Sequence, residues 1–176
     1  MGLFDAFKNK SNNGTEVSES VDKSSNCICV KAFLDGEAIP MNKVDDPTFA
    51  QEILGPGIAI EPTNGHLVAP VAGEITLVAP TDHAVSITTE EGAEILMHIG
   101  IDTVELQGKH FNPVTEVGAK VNVGDALIDF DLKAIKDAGY KTTVPLILCN
   151  KDSFSGVKAL ANGSVQTGDE ILKINK

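Results

Sequence analysis

HAVSITTEEGAEILMH at residues 83–98 holds two short runs of β-branched and apolar residues on either side of Glu90-Glu91-Gly92. In the second run Ile95 and Met97, continued by Ile99 and Ile101, form one apolar row. Glu94, Leu96, His98 and Gly100 form the other. Side chains alternate across a strand, so this pattern predicts a strand over 93–99 with the isoleucine row buried and His98 on the opposite face. A glycine-containing connection makes 83–89 and 93–99 a β-hairpin. A two- or four-residue loop centred on Glu90-Glu91 would set His83 directly opposite His98, with Cβ atoms roughly 4.5–5.5 Å apart on one face. A three-residue loop with a bulge would shift the register by one and part the two rings.

Outward from this hairpin the chain continues in the same manner. Further strands are predicted at 27–34, 57–61, 66–69, 72–79, about 119–122, 126–130, 144–149, 163–166 and 170–174, separated by turn signals such as Gly55-Pro56-Gly57, Asn64-Gly65 and Val123-Gly124-Asp125. Two short helices are expected: 46–53, where Asp46 precedes Pro47 as an N-cap before a first-turn proline, and 131–141, where Leu132, Ile135 and Ala138 recur every three residues. The fold class is therefore all-β, an antiparallel β-sandwich or flattened barrel with short helical turns. VAPVAGEITLV at 68–78 and EVGAKVNVGDALIDFD at 116–131 echo one another, each joining a small-residue turn to an alternating strand.

Residues 27–176 are expected to form the folded domain. Before it, 9–26 is rich in Ser, Asn and charge and poor in large apolar residues, the composition of a flexible linker. Residues 1–8, MGLFDAFK, place Leu3, Phe4 and Phe7 at helical spacing with Asp5 and Lys8 turned away, an amphipathic segment suited to peripheral membrane contact.

The 176 residues carry a net charge of −11 and 5% aromatic residues, which excludes both an electrostatic footprint and a stacking platform for nucleic acid. No apolar run approaches the roughly 18 residues of a transmembrane helix. All 14 basic residues are lysine, so no guanidinium fork is available to hold a phosphate or carboxylate. Three cysteines, Cys27, Cys29 and Cys149, in a chain with no secretory leader pattern indicate a reducing, cytoplasmic setting.

Of the four histidines, His83 and His98 are placed informatively. A half-exposed imidazole pair can act as nucleophile plus N–H donor toward a phosphoryl group. It can also contribute two ligands to zinc, although catalytic zinc needs a third, or serve only as satisfied surface polar groups. His66 and His110 are read as surface or turn residues.

The stretch TDHAVSITTEEGAEILMHIGIDTVELQGKHF at 81–111 closely resembles the active-site region of the glucose-type IIA proteins of the bacterial phosphoenolpyruvate-dependent sugar phosphotransferase system. Thr-x-His at 81–83, His-Ile-Gly-Ile-Asp-Thr-Val at 98–104 and Leu-x-Gly at 106–108 stand at the family's spacing. The resemblance continues through 57–75, 120–132 and 144–150 and covers about residues 28–175. It implies that His98 is phosphorylated through Nε2, that His83 hydrogen-bonds the phosphoryl group and that Thr81 orients His83. It further implies that the Gly100–Asp102 turn offers backbone N–H groups to the phosphoryl oxygens. Asp46 and Asp102 would meet a basic residue of the incoming histidine phosphocarrier protein, and Phe49 would stand in an apolar rim that is only partly legible beside Pro47 and Thr48. The phosphoryl group would pass to a cysteine on the IIB domain of a sugar permease. No carboxylate general base is expected beside His98, which suits a store of phosphoryl groups rather than a hydrolase. In its unphosphorylated state the same face would bind regulated transporters or metabolic enzymes. No cofactor is required, and zinc between His83 and His98 would need a carboxylate from a partner.

Overall fold

The computed structural model describes residues 26–176. The readings of residues 1–8 and of nearly all the 9–26 segment lie outside the described residues. Fourteen strands follow in chain order: β1 (Cys27–Lys31), β2 (Gly36–Pro40), β3 (Gly57–Pro62), β4 (His66–Val68), β5 (Gly73–Val78), β6 (Ala84–Thr88), β7 (Glu94–His98), β8 (Phe111–Pro113), β9 (Lys120–Val121), β10 (Ala126–Phe130), β11 (Val144–Leu148), β12 (Gly156–Ala159), β13 (Gly163–Val165) and β14 (Glu170–Asn175). Helices α1 (Pro47–Ala50) and α2 (Leu132–Asp137) are short, as expected. Each is capped by an aspartate: Asp46 accepts from the Thr48 and Phe49 N–H groups, and Asp131 from that of Ala134.

An eight-stranded sheet runs β13-β2-β3-β11-β7-β6-β5-β9, and two three-stranded sheets run β1-β14-β12 and β4-β10-β8. Every pairing is antiparallel. The large sheet keeps two edges, β13 and β9, so the architecture is a sandwich and the flattened-barrel alternative is corrected. The two echoing segments lie side by side, since β4 pairs with β10 and β5 with β9.

Alternation along the central strands gives the large sheet two buried faces. Ile58, Ile60, Val85, Ile87, Ile95, Met97, Leu146 and Leu148 point inward, where they meet Val30, Leu67, Leu127, Ile128, Leu172 and Ile174 of the smaller sheets. The intervening residues face outward. There Ala59 and Ile147 join Met41, Val44, Phe49 and Ile101 in a second, smaller cluster, with Ile39 and Leu96 packed against it. The segment Met41–Ala50 lies over this outer face because Met41, Val44 and Phe49 have apolar surface to bury there.

Strands β2, β8 and β12 were not predicted from the sequence. GEAIP and FNP end in proline, and GVKA offers one large apolar residue, so their own β-propensity is weak. Pairing with a strong neighbour decides them: β2 with β3, β8 with β10 and β12 with β14. The predicted strand 27–34 stops at Lys31. Phe33 and Leu34 are fully buried but outside the ladder.

Ile95 is fully buried in β7. Ile95→Ala should cost roughly 2–5 kcal/mol in chemical denaturation. A loss under about 1 kcal/mol would mean that the inner core is not packed around this strand.

Candidate phosphotransfer site

Of the loops the sequence left open, the β6–β7 hairpin takes the one that shifts the register by one. Thr88 pairs with Glu94 and Ala84, not His83, pairs with His98. The loop is the three-residue form: Gly92 N–H donates to the Thr89 carbonyl and Thr89 N–H to that of Ala93, with Gly92 at φ 86°. Glycine bears that conformation without a Cβ penalty, which is how a tight turn followed by a bulge closes. The slip does not separate the histidines. His83 lies one residue before β6, in the β5–β6 loop, so strand alternation does not dictate its side chain. Its ring stands edge-on to His98 with centroids 4.7 Å apart and planes at 75°.

His98 occupies the outward row of β7, as the alternation predicted, and its Nδ1 lies 2.7 Å from the Gly100 carbonyl oxygen. A carbonyl only accepts, so Nδ1 carries the hydrogen and the lone pair is on Nε2. Gly100 (φ 77°) allows this return: a Cβ there would sit 2.5 Å from Thr103 Cγ2 and 2.8 Å from the Lys141 carbonyl oxygen. The turn is held by Gly100 N–H on the Thr143 carbonyl and Ile101 N–H on the Lys141 carbonyl, both 3.0 Å, while the Thr103 hydroxyl donates to the Ile99 carbonyl. Of the N–H groups in the Gly100–Asp102 turn, two are thereby occupied within the chain. Those of Gly100 and Ile101 are engaged by the chain leading into β11, and Gly100 acts through its carbonyl.

Thr81 Oγ1 lies 2.7 Å from His83 Nδ1, so the predicted pair meets. Phe49 reaches the site from α1, its ring centroid 5.3 Å from that of His98. The rim around it comes from Met41, Val44, Ile101 and Ile147, contributed by three separate segments and therefore not legible beside Phe49 in the sequence. Leu96 could have been found, since it shares the His98 row. Asp46 and Asp102 both bear on the imidazole electrostatically, which qualifies the expectation of no nearby carboxylate. No hydrogen bond joins either to the His98 ring: Asp46 caps α1, and Asp102, at φ 58°, precedes the 3₁₀ turn Thr103–Leu106. His66 bonds Asp129 at 2.9 Å on the exposed surface and His110 sits in an exposed turn at φ 75°, so neither joins the site.

Burial holds the pKa of His98 below the ordinary histidine value, against the opposing pull of the Gly100 carbonyl, Asp46 and Asp102. Burial, then the neighbouring His98, lowers that of His83, against Thr81 and Asp82. Both rings are neutral at pH 7, the state in which an imidazole is a nucleophile. The unfolded chain gains protons on these residues as pH falls through about 6.5, and the folded chain only at lower pH. This contribution to stability is thus complete above about 6.5 and erodes as the pH falls below it. Between pH 7.5 and 5.5 the His98→Gln variant should lose less stability in urea denaturation than the unaltered protein. Equal losses would show that His98 is not held neutral by the fold.

The family model of the phosphoenolpyruvate-dependent sugar phosphotransferase system, EIIA 1, matches residues 28–154. The chain is 46% identical over 143 residues to the glucose-specific EIIA component of Halalkalibacterium halodurans, covering 81% of this chain and 83% of that protein. It is 41% identical over 145 residues to the glucose-specific EIICBA component of Streptococcus pneumoniae, of which it spans 20%. The glucose permease IIA of Mycoplasma capricolum superposes with a TM-score of 0.74 at 34% identity, over 85% of this chain and 96% of that one. With a neutral, carbonyl-bound histidine beside a second one on the outer face of a sandwich, and with matches of this extent, the chain belongs to the EIIA 1 family of phosphotransfer proteins of the phosphoenolpyruvate-dependent sugar phosphotransferase system.

Proposed function

We propose that His98 accepts a phosphoryl group from the histidine phosphocarrier protein and donates it to a cysteine of a sugar permease IIB domain. The observation that carries this reading is the 2.7 Å contact between His98 Nδ1 and the Gly100 carbonyl, with His83 edge-on at 4.7 Å. Nε2 attacks phosphorus as the donor's P–N bond breaks, so that one P–N bond replaces another. The phosphorylated ring keeps its Nδ1 hydrogen on Gly100, and the carbonyl dipole stabilises the positive charge that the ring acquires. On transfer the P–N bond breaks, a P–S bond forms on the cysteine thiolate, and the ring leaves as a neutral imidazole. In the tautomer in which Nδ1 accepts from the Thr81 hydroxyl, His83 carries its hydrogen on Nε2 and donates it to a phosphoryl oxygen whose charge grows in the transition state.

The apolar rim around Phe49 keeps water from the phosphohistidine. Asp46 and Asp102 supply negative charge beside His98, and a chain of net charge −11 without arginine suits a partner with a positive docking face that brings its own cation. No disulfide joins Cys27, Cys29 or Cys149, which fits a cytoplasmic setting, and among the described residues no helix is long and apolar enough to cross a membrane. The unphosphorylated face would also bind regulated transporters or metabolic enzymes, which phosphorylation would release. His83 and His98 supply two imidazoles, and among the described residues no group of three or more His, Cys, Asp or Glu is arranged to hold a metal. Zinc binding here would await a partner's carboxylate.

Incubation with phosphoenolpyruvate, enzyme I and the phosphocarrier should add one acid-labile phosphoryl group, placed on His98 by tandem mass spectrometry at neutral to mildly alkaline pH. His98→Ala should abolish it, and an unaltered rate of acceptance in that variant would sink the proposal. His83→Gln should still accept, yet donate to the IIB cysteine roughly 10²–10³-fold more slowly, the usual cost of one lost oxyanion donor. Loss of acceptance in that variant would place His83 in the first step instead.

A further inference from the structure

Asp82 has φ 58°, the left-handed region in which non-glycine residues are uncommon and Asp and Asn are the better tolerated. It is the one residue of the loop between Ala79 and Ala84 with positive φ. The loop is closed at 2.8 Å by Asp82 N–H on the Ala79 carbonyl and at 2.9 Å by Ala79 N–H on the Ala84 carbonyl, so a change at residue 82 has little slack to be absorbed elsewhere.

One residue on, the His83 carbonyl accepts from Ile99 N–H at 2.7 Å. The His83 backbone, one residue outside β6, is therefore still hydrogen-bonded to Ile99, one residue past β7, whose side chain is fully buried in the inner core. A residue continuing β6 in extended form would send its side chain to that inner face. The His83 ring is instead against His98 on the outer face. The chain has to turn between Thr81 and Ala84 to bring this about, and Asp82 is where its backbone leaves the ordinary regions. Such conformations persist where the surrounding structure holds them, and they gather at functional sites.

We infer that Asp82 is a positioning residue for the histidine pair, and that its left-handed backbone, rather than its charge, turns His83 onto the face of His98. The inference deepens the proposed phosphoryl relay and, for its functional consequence, rests on it. The Asp82 carboxylate lies toward Gly108, where a Cβ would stand 3.6 Å from Oδ2, and no hydrogen bond joins it to the His83 ring.

Three variants separate backbone from charge: Asp82→Gly and Asp82→Asn tolerate the left-handed conformation, whereas Asp82→Val opposes it. In the full chain, nuclear Overhauser contacts between the ring protons of His83 and His98 should persist in the Gly and Asn variants and vanish in the Val variant. Donation from the phosphorylated protein to a IIB cysteine should stay within a few-fold in the first two. In the Val variant it should fall roughly 10²-fold, toward the His83→Gln level. If the Val chain does not fold, Asp82→Ala takes its place, with the same losses in weaker form. Retained ring contacts and donation in the folded β-branched or alanine variant would overturn the inference, as would an Asn variant that loses both, since the charge would then be the cause. The ring contacts need no phosphoryl group. The expected contact pattern in a protein that never accepts one would therefore overturn the relay and leave the positioning role standing.

Discussion

One backbone carbonyl, that of Gly100, is where the fold and the chemistry join. By accepting the Nδ1 hydrogen of His98 it chooses the tautomer, and with it the nitrogen that faces outward with a lone pair. It can do so because the turn after β7 is tied through the Gly100 and Ile101 N–H groups to the Thr143 and Lys141 carbonyls. Those carbonyls stand where they do because β11 lies beside β7 in the large sheet. The tautomer of one imidazole thus depends on strand order, and strand order on the inner core that holds the sheet together.

The same sheet explains why the histidines are neutral. Most of its outer face would be wet in an ordinary one-sided antiparallel sheet, yet here Met41, Val44 and Phe49 cover part of it. His98 stands at the border of that cover, buried enough for desolvation to lower its proton affinity and open enough for a partner to reach. Asp46 and Asp102 pull in the other direction, and desolvation prevails. The result is a ring that is nucleophilic at neutral pH and flanked by negative charge, on a chain with no arginine of its own.

Much of this was legible along the chain. The alternation of Ile95, Met97 and Ile99 against Leu96 and His98 placed His98 on the outward face, and Asp46-Pro47 announced the cap of α1. The register of the β6–β7 hairpin stayed open, because Glu90-Glu91-Gly92 is compatible with several loops and only the hydrogen bonds of Thr89 select the three-residue form. The three-residue loop was expected to part the histidines, and it does not, for a reason invisible in the alternation: His83 belongs to a loop, and loops do not obey period two. Strands β2, β8 and β12 escaped notice because their stability comes from their neighbours.

The sequence by itself determined the all-β class, the two faces of the central strands, the Asp46 cap and the residue types available for chemistry, since these follow from local periodicity and from composition. Tertiary structure alone decided the carbonyl on Nδ1, the apolar rim assembled from Met41, Val44, Ile101 and Ile147, and the meeting of His83 with His98. Each of these joins segments whose contact has no period in the sequence. It exists because burying the inner core leaves the outer face of the sheet, and the turns at its end, only one compact arrangement.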